Sequence, residues 1–381
     1  MHIGIDARSM IKSRSGIGQS TYYLTKHLLD IDAENDYHLF YHKEIDADWI
    51  APDSVQLHRV RTGNITLGLD PRERWEQIML PLSLLRHRVD VYHAIQQVGP
   101  LWAPAPVIVT VFDVAFLVFP ETKTPEDASY WSTWVRRSVR RAERVIATSE
   151  ATKRDLVNLC GTPPERIVTI PLGVDPRFRP AEDAEQARQI CSRYGAISPF
   201  VLYVGNIEPR KNLVRLVAAY HRLKGRYKDL PKLVICGEKG WLYDDVFRTV
   251  EELNLQEDVL FIGYVSHYEL MCLYTEAQAL LYPSLYEGFG LPILEAMACG
   301  TPVVTSNVSS MPEVAGDAAI LVDPYSEAEI ADAIEAVLTD ATLHARLINR
   351  GFAQAKRFTW TDVARRTLDV YREVATGKRH R

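Results

Sequence analysis

The chain has 381 residues, which is enough for two domains. Hydrophobic residues make up 47% and charged residues 24%, an ordinary soluble globular profile, and the net charge of −5 speaks against a general nucleic-acid binder. No apolar run approaches the roughly 20 residues that a bilayer span requires.

The first six residues, Met1-His2-Ile3-Gly4-Ile5-Asp6, read as a short strand and not as a signal peptide. Ser15-Gly16-Ile17-Gly18 then opens a helical pattern over Ile17–Leu29. It resembles half a dinucleotide fingerprint, but no third Gly follows at the required spacing. It also falls about nine residues past the strand instead of directly after it. A nicotinamide cofactor is therefore rejected. What remains is a flexible loop near a phosphate or acceptor, or a plain helix entry. Two D-x-D triplets, Asp30-Ile31-Asp32 and Asp46-Ala47-Asp48, read as solvated turns and not as metal ligands.

Apolar, β-branched runs recur at Val107–Val111, Val145–Ala147 and Ile167–Ile170, with a helical pattern at Ala151–Cys160. This alternation predicts a parallel sheet with helices on both faces. The segment Ser129–Arg144 is the most basic in the chain, with Trp131 and Trp134 three apart and five Arg residues beside them. It reads either as a helix lying on an anionic membrane surface or as a packed helix with a solvated basic face.

Three prolines in Pro171–Pro180 predict an interdomain linker. The alternation then restarts. Strands are expected at Phe200–Val204, Lys232–Cys236, Val259–Ile262, Ala279–Tyr282 and Pro302–Thr305, with helices between them. Two successive doubly wound α/β domains follow, with a ligand site expected at the carboxyl ends of the strands, in a cleft between the domains. The last helical pattern, Trp360–Thr376, repeats Val363, Thr367, Val370 and Val374 at helical spacing, and a basic tail follows it. The five cysteines are at least 27 residues apart, which excludes a C-x-x-C pair and predicts a reducing cytoplasm without a structural metal.

The richest stretch is Glu287-Gly288-Phe289-Gly290-Leu291-Pro292-Ile293-Leu294-Glu295. It runs from a strand into a helix with Pro292 in its first turn, where a missing N–H costs nothing. Gly288 and Gly290 then expose N–H groups at a helix N-terminus, a seat for an anion. Glu287 stands at its mouth. Glu295 lies about one turn past the glycines on an apolar face, where a carboxylate needs a partner. An anion flanked by hydroxyls describes a nucleotide sugar; the plain alternative is a strand–helix turn with one surface Glu and one capping Glu. Gly205-Asn206-Ile207-Glu208-Pro209-Arg210-Lys211-Asn212 also leaves a strand's carboxyl end, and its adjacent cations suit a pyrophosphate.

Together these motifs resemble the retaining glycosyltransferases of family 4, which have the GT-B fold of two doubly wound Rossmann-like domains facing a cleft. The resemblance spans essentially the whole chain. It includes Gly16-Ile17-Gly18, Ala147-Thr148-Ser149-Glu150, Gly173-Val174-Asp175, Gly205–Asn212, Gly263-Tyr264-Val265, Glu287–Glu295 and Asn307–Glu313. It implies an acceptor-binding domain over 1–172, completed by a C-terminal helix at 359–381, and a nucleotide-sugar-binding domain over 173–358. Lys211 and Arg210 would neutralise the donor diphosphate. Glu287 would face the donor sugar together with the N–H groups of Phe289 and Gly290. Glu295 would bind the ribose hydroxyls, and Tyr264 and Val265 would border the base. Gly16, Gly18, Asp113, Gly205, Asn206, Gly288 and Leu291 complete the expected donor site, and no metal or other cofactor is implied.

Two positions depart from the family pattern. Asn206 stands where many relatives have Arg, and Phe112 precedes Asp113 where many have His. An apolar Phe112 beside the donor sugar points toward a deoxy sugar such as D-rhamnose. The segments at Pro209–Asn212 and Ser309–Glu313 look like mannosyltransferases of bacterial polysaccharide assembly. The leading expectation is a cytoplasmic enzyme, peripheral on the inner face of the membrane through the Trp131/Trp134 helix. It would move mannose or a related sugar from a GDP-sugar to a lipid-linked saccharide. The alternatives are a UDP-sugar transferase making a small soluble glycoside and a non-catalytic sugar-nucleotide-binding protein.

Overall fold

The computed structural model describes residues 1–10, 16–43, 56–62, 71–227 and 229–377. They form two compact units. One is built from Met1–Leu117, Pro125–Gly173 and the C-terminal segment from Thr359, the other from Val118–Thr124 and Val174–Phe358.

The first unit starts with β1 (His2–Asp6), α1 (Gly16–Ile31), β2 (Asp36–Tyr41) and β3 (Leu57–Arg61). A continuous helical stretch follows: α2 (Pro71–Arg74), a π-helical turn at Trp75–Met79 and α3 (Leu80–Arg86). Next come β4 (Val91–Ala94), β5 (Val107–Val111), α4 (Ala115–Val118), α5 (Pro125–Arg141), β6 (Arg144–Ala147), α6 (Glu150–Cys160) and β7 (Ile167–Thr169). The seven strands run in the order β3-β2-β1-β4-β5-β6-β7, with every neighbouring pair parallel. β5 reads Val-Ile-Val-Thr-Val and is buried at every position. It shows no alternation because helices cover both faces of the sheet. Local chemistry sets the helix limits: Ser149 accepts from the Thr152 N–H to start α6, and Gly161, at φ 65°, ends it.

The second unit contains α7 (Ala184–Arg193), β8 (Phe200–Val204), α8 (Leu213–Lys224), β9 (Lys232–Cys236), α9 (Asp244–Glu252), β10 (Val259–Gly263), α10 (His267–Glu276) and β11 (Ala279–Tyr282). It continues through α11 (Leu291–Ala298), β12 (Val303–Ser306), α12 (Met311–Ala315), β13 (Ala319–Val322), α13 (Glu327–Thr339) and α14 (Ala341–Ala355). Its six strands are all parallel, in the order β10-β9-β8-β11-β12-β13. The order reverses between β8 and β11, which is where a doubly wound sheet opens a crevice at its carboxyl edge. The loops leaving β8 and β11 carry the Gly205–Asn212 and Glu287–Glu295 motifs.

The last helix, α15 (Trp360–Gly377), belongs to the first unit. Trp360 is 4% exposed and stacks on Tyr23 of α1 at 5.5 Å between ring centroids. The Tyr371 hydroxyl is 2.7 Å from His93 Nδ1 of β4, and Arg144 pairs with Glu373. Val363, Thr367, Val370 and Val374, the periodic positions, are all buried.

Several expectations change. Val118–Thr124 lies within the range read as the first domain but is part of the second unit, where the Phe119 ring lies 6.1 Å from that of Tyr286. Asp32 is not a solvated turn residue: it is buried and accepts from Asn35 Nδ2 at 2.7 Å and from the Tyr37 hydroxyl at 2.5 Å. Strands β2, β3, β4 and β13 and helices α2, α3, α4, α7, α12, α13 and α14 are additional to the elements predicted. Asp46-Ala47-Asp48, Ser15 and the tail beyond Gly377 lie outside the described residues. Among the described residues no helix is long and apolar enough to cross a membrane.

Replacing Trp360 by Ala is expected to cost about 3–5 kcal/mol, because its stack on Tyr23 leaves a cavity under α15. The check is denaturant unfolding of the full chain. A loss below about 1 kcal/mol would show that α15 is held elsewhere.

Candidate active site

The loop after β8 places two cations with unusual strictness. A single 3₁₀ turn, Pro209–Lys211, ends on Asn212 in the left-handed region at φ 62°. The Asn212 amide donates to the Pro283 carbonyl at 2.9 Å and the Pro324 carbonyl at 2.7 Å, and the Leu285 N–H donates to the Arg210 carbonyl at 2.8 Å. An Asn tolerates this φ and supplies both donors. The turn is thereby fastened to the loop after β11, which carries Glu287.

Glu287 is 6% exposed and shared by both cations. Lys211 Nζ lies 2.6 Å from its Oε1, and Arg210 Nη1 lies 2.9 Å from its Oε2. The Tyr282 hydroxyl donates to Oε1 at 2.8 Å and accepts from Lys211 Nζ at 3.1 Å. Arg210 also donates to the Tyr286 carbonyl at 2.6 Å and pairs with Glu208 at 2.7 Å. Burial alone would raise the Glu287 pKa. Lys211, Arg210 and the Tyr282 hydroxyl outweigh it and hold the value at about 2. Burial pulls Lys211 downward in turn, against the attraction of Glu287. At neutral pH the cluster is an ion pair closed on itself.

The backbone of the glycine loop is held from below. Ser309, at φ 57°, donates to the Glu287 carbonyl at 2.6 Å and accepts from the Glu287 N–H at 3.3 Å. The Ser310 hydroxyl lies 2.9 Å from both the Glu287 and Phe289 carbonyls. A non-glycine residue with positive φ is uncommon, and such residues cluster where surroundings impose the conformation. Gly290 caps α11 at φ 101°, with Leu291 and Pro292 in the first turn.

Glu295 sits in the next turn of α11 with a different partner. Its Oε2 accepts from the Tyr274 hydroxyl at 2.9 Å. Burial raises its pKa to about 7, partly offset by Tyr274 and reinforced by Asp175. Asp175 itself is buried, paired with His267 at 2.7 Å and with Arg177 at 2.7 Å.

The structure therefore brings Arg210, Lys211 and Glu287 into one network, with Gly288, Phe289, Gly290, Leu291 and Glu295 on the same loop and helix. Gly205 and Asn206 stand at the end of β8. The Gly205 N–H donates to the Cys236 carbonyl at 2.9 Å, and Asn206 is exposed. A Cβ on Gly237 would meet the Gly205 carbonyl oxygen at 2.0 Å, so these two strand ends approach at a distance only glycine permits. After β10, Tyr264 is 57% exposed while Val265 is buried. Gly16, Gly18 and Asp113 belong to the first unit. Gly16 begins α1 exposed and accepts from the Ser20 hydroxyl at 2.8 Å, while Gly18 is buried. Asp113 accepts from the Ala115 N–H at 2.9 Å, and the Phe112 carbonyl accepts from the Thr148 hydroxyl at 2.8 Å.

Sequence reasoning gave no positioning role to the residues that hold this set, Tyr274, Tyr282, Asn212, Ser309 and Ser310, although the last three lie in motifs it quoted. The tyrosines looked like core members of apolar segments. It also missed a cluster in the first unit. Arg8 forks onto Asp6 at 3.0 and 2.7 Å, reaches Glu76 at 2.6 Å and lies 4.2 Å above the Trp75 ring. A charged Asp-x-Arg step directly after an apolar strand was the available signal. Among the described residues no group of three or more His, Cys, Asp or Glu side chains could hold a metal ion.

Two family models match the chain: "Glycosyltransferase Family 4" over residues 14–178 and "Glycosyl transferases group 1" over residues 196–354. The chain is 34% identical over 265 residues to O-antigen chain mannosyltransferase B of Escherichia coli, covering 70% of each chain. It is 28% identical over 234 residues to the serotype-specific mannosyltransferase WbdA of Escherichia coli, covering 61% of this chain but 29% of that one. A sucrose-phosphate synthase from Thermosynechococcus elongatus superposes with a TM-score of 0.77 at 23% identity, covering 99% of this chain and 100% of that one. This last likeness shows the two-domain GT-B fold.

Two outcomes are expected. Lys211→Met should cost about 3–5 kcal/mol, because it strips one cation from a buried carboxylate; thermal unfolding that matches the parent would contradict the pairing. Glu295 behaves oppositely. Its folded pKa of about 7 lies above the ordinary 4.5, so the stability tied to its protonated form is full below 4.5 and lost as pH rises through 7. Glu295→Gln should therefore melt progressively higher than the parent between pH 5 and pH 8. A margin that does not vary with pH would refute this.

Proposed function

This chain belongs to glycosyltransferase family 4, and we propose that it transfers mannose or a related hexose from a GDP-sugar to a lipid-linked saccharide in the assembly of an O-antigen-type polysaccharide. The observation that carries the reading is the Arg210–Lys211–Glu287 network at the reversal point of the second sheet. The mannosyltransferases matched above support the sugar and the pathway class.

The chemistry follows from charge. Breaking the anomeric C–O bond of a nucleotide sugar leaves positive charge on the ring and negative charge on the departing diphosphate. Lys211 and Arg210 are preorganised donors at a helix-rich, anion-favouring edge, and each such group aimed at developing charge is worth about 10² to 10³ in rate. In the closed network Glu287 and Glu208 together balance the two cations. An arriving diphosphate competes for the same cations and so leaves the Glu287 carboxyl group beside the sugar. Glu295 offers its second carboxylate oxygen to the ribose while Tyr274 holds the first.

Retention of configuration needs no protein nucleophile in this scheme, because the leaving phosphate oxygen accepts the acceptor's proton on the same face. No metal is required for charge neutralisation, since two side-chain cations supply it. Phe112, which stands where many relatives carry His, is the reason a deoxy sugar is kept among the donors proposed. The lipid-linked acceptor makes the enzyme peripheral on the inner face of the cytoplasmic membrane.

Lys211→Ala is expected to lower turnover by about 10²-fold or more; a near-parental rate would remove the diphosphate role. Calorimetric titration should give tighter binding of GDP than UDP, with further affinity from GDP-mannose or its deoxy analogue. A preference for UDP would move the assignment to the soluble-glycoside reading. Binding of nucleotide sugar without turnover on any acceptor would favour the non-catalytic one.

A further inference from the structure

The Gly173-Val174-Asp175 motif has no role in the reaction proposed above. The chain enters the second unit at Val174, and the next residue is a buried carboxylate. Asp175 turns the chain at once. Its Oδ1 accepts from the Arg177 N–H at 2.9 Å and its carbonyl accepts from the Phe178 N–H at 3.0 Å. The Phe178 ring that follows this turn is buried.

Two residues of α10 meet the turn. His267 and Tyr274 stand seven positions apart on that helix and so share a face. A reciprocal cap between Ser266 and Glu269 fixes the helix start beside His267. His267 Nε2 lies 2.7 Å from Asp175 Oδ2, and its ring lies 4.3 Å from that of Phe178. Phe178 then meets Tyr274 edge-on, with 5.7 Å between centroids. Tyr274 is fully buried and donates to Glu295 Oε2 at 2.9 Å. A continuous run of contacts thus leads from Asp175 to Glu295. Glu295 is only partly buried, so a ligand can reach the carboxyl that Tyr274 steadies.

The same groups act by charge. Burial raises the Glu295 pKa most, the Tyr274 hydroxyl lowers it, and Asp175 raises it further. Cys236 and Cys299 also lie in the field of Glu295, and burial lifts both thiols well above neutrality, which keeps them uncharged. Asp175 in turn faces His267 and Arg177, each at 2.7 Å.

We propose that Asp175 is a positioning residue for Glu295: with His267, Phe178 and Tyr274 it holds that carboxyl where a vicinal diol binds it. This deepens the donor reading and rests on it for the identity of the diol, the ribose of a nucleotide.

The experiment keeps the two apart. In the free full chain, carbon NMR of carboxyl-labelled glutamate follows Glu295, whose signal is the one lost in Glu295→Gln. The parent should titrate at about 7. Asp175→Asn should move the titration lower by about half a pH unit or more, because a repelling charge is gone. Tyr274→Phe should move it higher, because a stabilising donor is gone. Phe178→Leu keeps the Asp175 charge and the Tyr274 donor but removes the ring between them, so an upward shift there reports lost positioning. Circular dichroism like the parent's establishes that each variant folds. The proposal falls if Asp175→Asn or Phe178→Leu titrates as the parent does. Binding of GDP-mannose, whose diphosphate has no group titrating near neutrality, then tests the reading beneath it. With an ionised Glu295 accepting from the ribose, parent affinity should be about tenfold weaker at pH 6 than at pH 8. Affinity that ignores pH, with the carboxyl titrating as expected, would remove the ribose role and leave the positioning by Asp175 standing.

Discussion

The carboxylate of Glu287 is the point on which the second unit's chemistry depends. It is buried among loops leaving three parallel strands, and a buried charge is tolerated only when paired and hydrogen-bonded. Lys211 and Arg210 come from the loop after β8, Tyr282 from the end of β11, and Ser309 and Ser310 from the segment after β12. Each reaches Glu287 because the parallel order β8-β11-β12 sets those strand ends side by side. Remove the pairing and three loops lose their common anchor. The cations are thus held in place by the fold itself.

Glu287 and Glu295 lie eight positions apart and have opposite electrostatics. Both suffer the desolvation of burial. Glu287 has two cations within hydrogen-bond distance, and its pKa falls to about 2; Glu295 has a neutral tyrosine hydroxyl and a nearby carboxylate, and its pKa rises to about 7. The difference lies in the neighbours and not in the residue type. It separates two electrostatic states: a carboxylate kept charged by its cations, and a carboxyl whose charge is lightly held.

The first unit shows how an apolar and aromatic sequence pattern can be spent in two ways. Trp134 and Tyr130 point donors and rings at α2 and the π-helical turn after it, where Tyr130 donates to Glu76 at 3.2 Å and Arg72 lies 4.0 Å over its ring. Their amphipathic look serves packing. The residues left outward, Leu82, Leu85 and Trp102, lie in segments with no aromatic repeat, and no periodicity announces them. Exposure is a property of the assembled surface.

Much of the architecture was legible in the chain itself. Short continuous apolar runs such as Phe200–Val204 read as strands buried on both faces, and their alternation with helical periods implies parallel sheets. Glycines at strand–helix junctions and Pro292 in a first turn are local backbone requirements, so Gly205, Gly290 and α11 could be read without a fold. The short strands β2 and β4 could not: Asp36–Tyr41 and Val91–Ala94 are mixed or brief, and only pairing with their sheet neighbours, β1 and β3 for β2 and β1 and β5 for β4, makes them strands. The partners of the charged residues were likewise beyond the sequence. Glu287 meets Lys211 across 76 positions and Ser309 across 22, and Tyr274 reaches Glu295 across 21. Residue type and spacing determine which groups a local segment presents. Which of them touch, and hence which carboxylate keeps its charge, is decided only when separate loops converge at one sheet edge, because desolvation and pairing are sums over neighbours that the linear order does not contain.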